Sequence, residues 1–184
     1  METSSVRVLV VDDFEPFRRF ICSTLGKRLE LQIVGEACDG LEAVRKAAEL
    51  HPDLIVLDIG LPSLNGIEAA RRIRKVSPES KILFMSLESS ADVVQEALAL
   101  GSLGYVVKAH AGSELLEAVK AVLEGRQFLS SGLSNYHFAA TSDSKTLHRL
   151  CRNEAPPSPP LAKTPITRSH EVEFYSDDAA FVRK

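Results

Sequence analysis

Charged and hydroxyl side chains close four of the five short apolar runs in the first 110 residues of this 184-residue chain. One such residue marks nothing more than the point where a strand emerges into solvent. Four of five run ends together predict a shared site, because the carboxyl ends of parallel strands meet at one edge of a sheet. The residues are Asp12 and Asp13 after the first run, Asp58 at the end of the third, Ser86 at the end of the fourth and Lys108 after the fifth.

These residue types predict phosphoryl chemistry. Three carboxylates in one pocket raise the pKa of at least one of them unless a cation offsets their charge. Mg²⁺ prefers oxygen ligands and keeps several waters, so two carboxylates and a carbonyl hold it and leave positions open for a phosphoryl oxygen. A lysine ammonium and a serine hydroxyl supply the charge and the hydrogen-bond donor that a phosphoryl group needs. We therefore expect covalent phosphorylation of a carboxylate.

The surrounding pattern predicts an α/β fold that brings these residues together. Short β-branched runs alternate with segments whose apolar residues recur at spacings of three and four, which is typical of repeated βα units. Uniformly apolar runs such as 54–57 indicate strands covered on both faces, hence a doubly wound parallel sheet between helices. The expected strands are 6–11, 31–36, 54–58, 81–86 and 104–107.

Three helix starts carry a capping side chain followed three residues later by an acid, a pattern that satisfies the free amide groups of the first turn. The pairs are Asp39 with Glu42, Asn65 with Glu68, and Ser89 with Asp92.

Composition narrows the class of protein. Hydrophobic residues make up 45% and charged residues 26% of the chain, which is typical of globular proteins, and the net charge of -3 argues against a surface built to bind nucleic acid. We expect no membrane span, because the apolar stretches fall short of the about 20 residues required. Residues 1–5 lack a basic start and an apolar core, so the cytoplasm is the expected compartment. Three cysteines without CxxC spacing favour free thiols.

Five segments resemble, in order and spacing, the receiver domains of bacterial two-component response regulators, most of all those of the NarL/FixJ branch. The segments are "VLVVDDFEPFRR", "IVGEACDGLEAV", "PDLIVLDIGLPSLNGIEAARRIR", "ILFMSLES" and "GYVVKA". The resemblance covers about residues 5–130 and implies a flavodoxin-like (βα)5 fold with strand order 2-1-3-4-5.

The resemblance also implies residue roles. Asp58 is the expected phosphoacceptor, and Asp13 with the Gly60 carbonyl completes the Mg²⁺ site beside it. Asp12 acts through a metal-bound water or as a further ligand. Lys108 is expected to pair with the phosphoryl group.

A switch and its partners follow from the same resemblance. Ser86 is expected to donate to a phosphoryl oxygen, and Tyr105 matches the aromatic residue that turns inward when the serine moves. The expected phosphodonor is a sensor histidine kinase or a phosphotransfer protein. Helix 4, strand 5 and helix 5 form the surface expected to bind an output domain, a partner protein or a second copy. We do not expect turnover catalysis.

Two positions depart from the family pattern. Ala109 follows Lys108 where many receivers have proline, so we expect a trans bond, since a cis bond before a non-proline residue costs about 3 to 4 kcal/mol. Gly60 has no side chain to shield an acyl phosphate, and Glu88 is placed to orient or repel an attacking water. The lifetime of the phosphorylated state is therefore left open.

The chain divides into three predicted parts: a receiver domain at 1–130, a Pro/Ser-rich linker at 131–169 with a short helix at 144–152, and the start of a second domain at 170–184. Five of nine prolines fall at 156–165, which favours an extended linker. The final "HEVEFYSDDAAFVRK" resembles the opening of the sensory domain called MEDS. A lone strand and half a helix do not bury their own faces, so we expect a fragment of a longer protein.

Two rival functions remain open. A pseudo-receiver binds partners without phosphorylation, although the complete set of site residues counts against it. An aspartate-nucleophile phosphatase acts on small molecules, but its usual DxD pattern is absent because position 60 is glycine. A transcription-factor function requires a helix-turn-helix, and residues 131–170 show no pair of helical patterns suited to one.

Overall fold

A computed structural model describes residues 5–133, in which parallel strands and helices alternate along the chain. The predicted linker beyond residue 133, the helix at 144–152 and the second domain at 170–184 lie outside the described residues. The elements are β1 (Val6–Val11), α1 (Glu15–Leu25), β2 (Leu31–Ala37), α2 (Gly40–Leu50), β3 (Leu54–Asp58), α3 (Gly66–Val76), β4 (Lys81–Ser86), α4 (Ala91–Ala99), β5 (Gly104–Val107), a 3-10 turn (Lys108–His110), α5 (Ala111–Leu123) and β6 (Phe128–Leu129).

The strands form one parallel sheet in the order β2-β1-β3-β4-β5-β6. The predicted flavodoxin-like order 2-1-3-4-5 is confirmed, and β6 extends the sheet beside β5. Strand β6 was not predicted from the sequence, because two residues are too few to show a periodic pattern. Hydrogen bonds from Phe128 and Ser130 to the carbonyls of Leu103 and Tyr105 hold β6 in place.

The sheet is covered on both faces, as the apolar strands predict. Alternate residues of a strand point to opposite faces, so Leu9 and Val11 of β1 belong to one buried cluster and Val8 and Val10 to the other. The first cluster packs the sheet against α2, α3 and α4, and the second packs it against α1 and α5. Every residue of β3 is buried, which explains why its sequence lacks alternation.

The strand order reverses direction between β1 and β3, which are hydrogen-bonded neighbours. The chain leaves β1 toward β2 on one side and leaves β3 toward β4 on the other. Loops after such neighbouring strands diverge and leave a crevice at their carboxyl ends. Asp12, Asp13 and Asp58 therefore face a common space.

Two of the three predicted helix caps are confirmed. Asp39 accepts hydrogen bonds from the amides of Leu41 and Glu42, and Asn65 accepts one from the amide of Glu68. The prediction for Ser89 was wrong. Helix α4 begins one residue later, with Ser90 at its N-cap and no hydrogen bond from a capping side chain.

Within residues 5–133, no helix combines the length and the apolar character that crossing a membrane requires.

Candidate functional site

Lys108 lies between two buried carboxylates at the carboxyl edge of the sheet. Its Nζ is 2.8 Å from Oδ2 of Asp12 and 2.8 Å from Oδ2 of Asp58. The side chain of Asp12 is fully buried, and those of Asp58 and Lys108 are 5% and 11% exposed. The Phe17 ring lies beneath the ammonium, with 5.0 Å from Nζ to the ring centroid, a cation-π arrangement. The end of β5 thus carries the positive charge that joins the ends of β1 and β3.

Burial and charge perturb both partners of this contact. Burial raises the pKa of Asp12, the contact with Lys108 opposes that rise, and the nearby Asp58 charge adds to it. Burial alone would lower the pKa of Lys108, but its close contacts with Asp12 and Asp58 and the negative charges of those carboxylates outweigh burial and raise it. The ammonium therefore stays protonated across the neutral range, and the site keeps a fixed positive charge.

The three predicted carboxylates form one cluster. Ligand oxygens of Asp12, Asp13 and Asp58 all lie within 4.8 Å of one another; Asp12 and Asp58 are buried and Asp13 is exposed. Three carboxylates against one lysine leave an excess of negative charge. These carboxylates, which are separated in the sequence, therefore lie close together in the structure, as the sequence predicts.

The donor set fits a hard divalent cation. Asp12 Oδ2 is buried and accepts no well-directed hydrogen bond, since Lys108 contacts it only as an ion pair. Asp12 Oδ1 accepts a hydrogen bond from the amide of Phe14 at 3.0 Å, which orients the carboxylate. An underused buried carboxylate oxygen beside two further carboxylates suits Mg²⁺, which takes oxygen ligands and retains water.

Local backbone contacts hold Asp58 in place. The amide of Gly60 donates to Asp58 Oδ1 at 3.2 Å, while the role predicted for the Gly60 carbonyl stays a prediction. The first residue of α3, Gly66, packs against the Asp58 backbone so closely that a Cβ there would lie 2.0 Å from the Asp58 carbonyl oxygen. This role of Gly66 was not predicted from the sequence, in which the available signal was a glycine at a helix start.

Ser86 and Tyr105 both contact the turn after β4. Ser86 Oγ accepts a hydrogen bond from the amide of Glu88 at 3.0 Å, an interaction that does not use the hydroxyl proton. The Tyr105 ring is fully buried, and its hydroxyl donates to the carbonyl of Glu88 at 2.9 Å. Burial raises the pKa of Tyr105, so the phenol keeps its proton. Tyr105 is therefore turned inward and tied to the segment that leads into α4.

The Lys108–Ala109 bond is trans, as expected without proline, because every peptide bond in the described residues is trans. Lys108 begins a 3-10 turn that runs directly into α5. The chain therefore passes from β5 into α5 through a single 3-10 turn.

A cleft of about 880 Å³ opens at this edge of the sheet, and Asp58 is among the residues that line it. Its rim includes apolar side chains that the sequence analysis did not single out: Phe14 is 62% exposed and Leu87 is 80% exposed. Both are apolar residues just beyond a strand end that carries a site residue, which is the signal that identifies them. Asp13, Gly60, Ser86, Glu88 and Lys108 also line the cleft.

A second group of possible metal ligands joins Cys38, Asp39 and Glu42 at the start of α2. Asp39 caps the helix. Glu42 accepts a hydrogen bond from the amide of Cys38 at 2.9 Å and forms an ion pair with Lys46 at 2.9 Å. These contacts account for the cluster as a helix start.

The family described as "Response regulator receiver domain" matches residues 8–120. The DNA-binding transcriptional activator DevR/DosR of Mycobacterium tuberculosis is 40% identical over 126 residues, which are 68% of this chain and 58% of that protein. A protein-glutamate methylesterase/protein-glutamine glutaminase of Thermotoga maritima is 43% identical over 111 residues, which are 60% of this chain and 32% of that protein. The chain thus matches 58% of the length of the first relative and 32% of the length of the second.

Solved structures agree with the sequence matches. A two-component response regulator of the LuxR family from Aurantimonas sp. SI85-9A1 superposes with a TM-score of 0.67 at 34% identity, covering 71% of this chain and 93% of that one. The two sequence relatives carry different activities in their names, so the shared segment by itself does not define an output.

Proposed function

This chain belongs to the response regulator receiver domain family, and from that premise we propose that Asp58 accepts a phosphoryl group in a Mg²⁺-dependent reaction and thereby switches a protein-binding surface. The phosphodonor is a histidine kinase or a phosphotransfer protein that carries phosphohistidine. The observation that carries the proposal is the contact of Asp58 Oδ2 with Lys108 Nζ at 2.8 Å, in a cleft open to a ligand.

In the proposed step, a carboxylate oxygen of Asp58 attacks the phosphorus of phosphohistidine. The O–P bond forms as the N–P bond breaks, and the imidazole leaves with the electron pair of that bond. Positioning and charge neutralisation supply most of the catalysis in such transfers, and little proton chemistry is needed. The open rim beside Phe14 and Leu87 admits the side chain of a partner protein.

The residues around Asp58 divide the remaining work. Asp12, Asp13 and Asp58, with the Gly60 carbonyl, would hold Mg²⁺, which would supply positive charge to neutralise the transferred oxygens. Lys108 exchanges part of its contact with Asp12 for a phosphoryl oxygen. The Ser86 hydroxyl proton, which its bond with Glu88 leaves unused, is donated to another phosphoryl oxygen.

The proposed switch passes through the turn after β4. Glu88 is bonded to Ser86 through its amide and to Tyr105 through its carbonyl. A shift of Ser86 toward a phosphoryl group changes both bonds and so displaces the start of α4. The surface formed by α4, β5 and α5 then gains or loses affinity for an output domain, a partner protein or a second copy. The size of the change is set by the difference between that partner's affinities for the unphosphorylated and the phosphorylated state.

The decisive experiment is phosphorylation of the full chain by acetyl phosphate, followed by intact-mass spectrometry. We expect one phosphoryl group per chain with Mg²⁺, no labelling with EDTA, and no labelling of Asp58→Asn. Asp92→Asn, which changes an exposed aspartate of α4, is the matched control and should label normally.

Other outcomes favour the rival functions. No labelling of the wild-type chain would support a pseudo-receiver. Repeated turnover of a chromogenic phosphate ester, lost in Asp58→Asn, would support a small-molecule phosphatase and contradict the absence of turnover that we propose.

We also propose the domain order predicted above: a receiver at 1–130, a linker at 131–169 and the start of a MEDS-like second domain at 170–184. We further propose that the protein is cytoplasmic and that this chain makes no contact with nucleic acid. Limited proteolysis of the full chain tests the first boundary. We expect a protected fragment that ends near residue 130, whereas protection that extends through the prolines at 156–165 would contradict the linker.

A further inference from the structure

We propose that Arg18 is a positioning residue that orients the Asp12–Asp13 turn and thereby strengthens Mg²⁺ binding; this inference rests on the proposed function. Arg18 lies on α1 and is not a member of the carboxylate cluster. It acts through the backbone of Asp12.

The contacts of Arg18 link the site to β2. Its Nη1 donates to the carbonyl oxygen of Asp12 at 2.8 Å, and its Nε pairs with Glu36 Oε2 at 3.0 Å. The Arg18 side chain is 16% exposed and its hydrogen bond to Asp12 is partly buried, whereas the Glu36 side chain is 48% exposed. A planar guanidinium holds two acceptors in fixed directions, which a lysine ammonium on a flexible stem does not.

The backbone at Asp12 needs such a partner. Its amide still donates to the carbonyl of Ala37 on β2 at 3.1 Å, but Asp12 lies one residue beyond β1, where the regular ladder has ended. A buried carbonyl requires a hydrogen-bond donor, and Arg18 provides one. The same bond orients the peptide plane between Asp12 and Asp13, and therefore the directions in which the two carboxylates leave the chain.

The adjacent arginine supplies an internal comparison. Arg19 has the same charge and lies on the same helix, but its side chain is 77% exposed and pairs with Glu15 one helical turn earlier, at 2.6 Å. The two arginines therefore differ in contacts rather than in charge.

Charge and positioning predict opposite effects on metal binding. A cation near an acidic cluster opposes the binding of a second cation, so removal of Arg18 by charge alone would tighten Mg²⁺ binding. Loss of orientation would weaken it, because groups that orient metal ligands contribute to affinity. The sign of the change thus separates the two roles.

The test is the Mg²⁺ dissociation constant of the full chain, measured by isothermal titration calorimetry without a phosphodonor. We expect Arg18→Met to weaken binding by about 10-fold, as is common when a group that orients a metal ligand is removed. Arg19→Met should stay close to wild type. Unchanged or tighter binding by Arg18→Met overturns the inference.

Two further variants test whether the effect of Arg18→Met comes from lost orientation of Asp12 rather than from lost charge or impaired folding. Arg18→Lys keeps the charge and much of the apolar stem, so it should fold even where Arg18→Met does not, and we expect binding weaker than wild type; wild-type affinity in Arg18→Lys contradicts positioning. Glu36→Gln should weaken binding less than Arg18→Met and add nothing to it in the double variant, because one contact orients the other. Additive effects would contradict that link.

The failure of each proposal is recognisable. A wild-type chain that binds no Mg²⁺ and accepts no phosphoryl group refutes the proposed function. A wild-type chain that does both, with Mg²⁺ affinity insensitive to Arg18, refutes only the positioning role.

Discussion

The Tyr105 hydroxyl donates a hydrogen bond to the carbonyl oxygen of Glu88 at 2.9 Å, and this bond joins β5 to the segment that leads into α4. The ring is fully buried, so the hydroxyl depends on this protein partner rather than on water. The bond is therefore a direct connection between the core and a part of the proposed switch.

Tyr105→Phe tests that connection. Removal of the hydroxyl leaves the Glu88 carbonyl without this donor and should lower the free energy of unfolding by about 1 kcal/mol. Urea denaturation measures the change. Labelling by acetyl phosphate should persist, because the phenol is not among the groups proposed to contact the phosphoryl group; a Tyr105→Phe chain that no longer labels would contradict that division of roles.

Lys108→Met should destabilise the chain in the absence of Mg²⁺. The substitution leaves Asp12 and Asp58 buried without their shared cation, and breaking a buried ion pair costs about 3 kcal/mol or more. Mg²⁺ should restore part of the loss, since a ligand that binds only the folded state adds about 2.7 kcal/mol at 100 times its dissociation constant. Thermal unfolding with and without Mg²⁺ measures both effects.

The control for Lys108→Met is Lys120→Met, which removes an exposed lysine on α5. Its unfolding temperature should follow that of the wild type under both conditions. Equal behaviour of the two variants would show that Lys108 makes no special contribution to the pocket.

Gly66→Ala should disrupt the backbone around Asp58. The added Cβ would lie 2.0 Å from the Asp58 carbonyl oxygen, so either α3 or the end of β3 must move. We expect a loss of about 3 kcal/mol or more in the free energy of unfolding, at the upper end for an overpacked core site, together with slower labelling of Asp58.

Gly112→Ala is the matched control, because an added Cβ there meets nothing within 4 Å on helix α5. This variant should be more stable than the wild type by about 0.5 to 1 kcal/mol, since alanine favours a helix over glycine. Similar effects of both substitutions would contradict the close packing of Gly66 against Asp58.

The contribution of Glu42 to stability should depend on acidic pH. A hydrogen bond from Lys46 and one from the amide of Cys38 lower the pKa of Glu42 from 4.5 to about 2 in the folded state. Because the folded pKa is depressed, the stabilisation is present above pH 4.5 and is lost as the pH falls from 4.5 toward 2.

The unfolding temperatures of wild type and Glu42→Gln should therefore differ at pH 7 and converge toward pH 2. Glu49→Gln serves as the control, since the Glu49 side chain is 55% exposed and pairs with Arg45 at the surface. A difference between Glu42→Gln and wild type that stays constant with pH would refute the assignment.

Local sequence was sufficient for β1, β3, β4 and β5 and for the residues at their ends, but not for the two-residue β6. The expected bounds 54–58, 81–86 and 104–107 agree with β3, β4 and β5, because short apolar runs bounded by turn residues favour strands that are covered on both faces. The same reasoning located Asp58 at the edge of the sheet, since a charged residue that ends an apolar run has to lie where the strand leaves the core.

Tertiary structure alone decided which groups touch. The bridge from Lys108 to Asp12 and Asp58, the clamp of Arg18 on the Asp12 carbonyl, and the contact of Gly66 with Asp58 join residues distant in sequence or depend on the exact path of a turn. The pattern of side chains along one element specifies which face is buried. It does not specify which atom of a neighbouring element lies within hydrogen-bond reach, because that distance depends on how all the helices pack against the sheet.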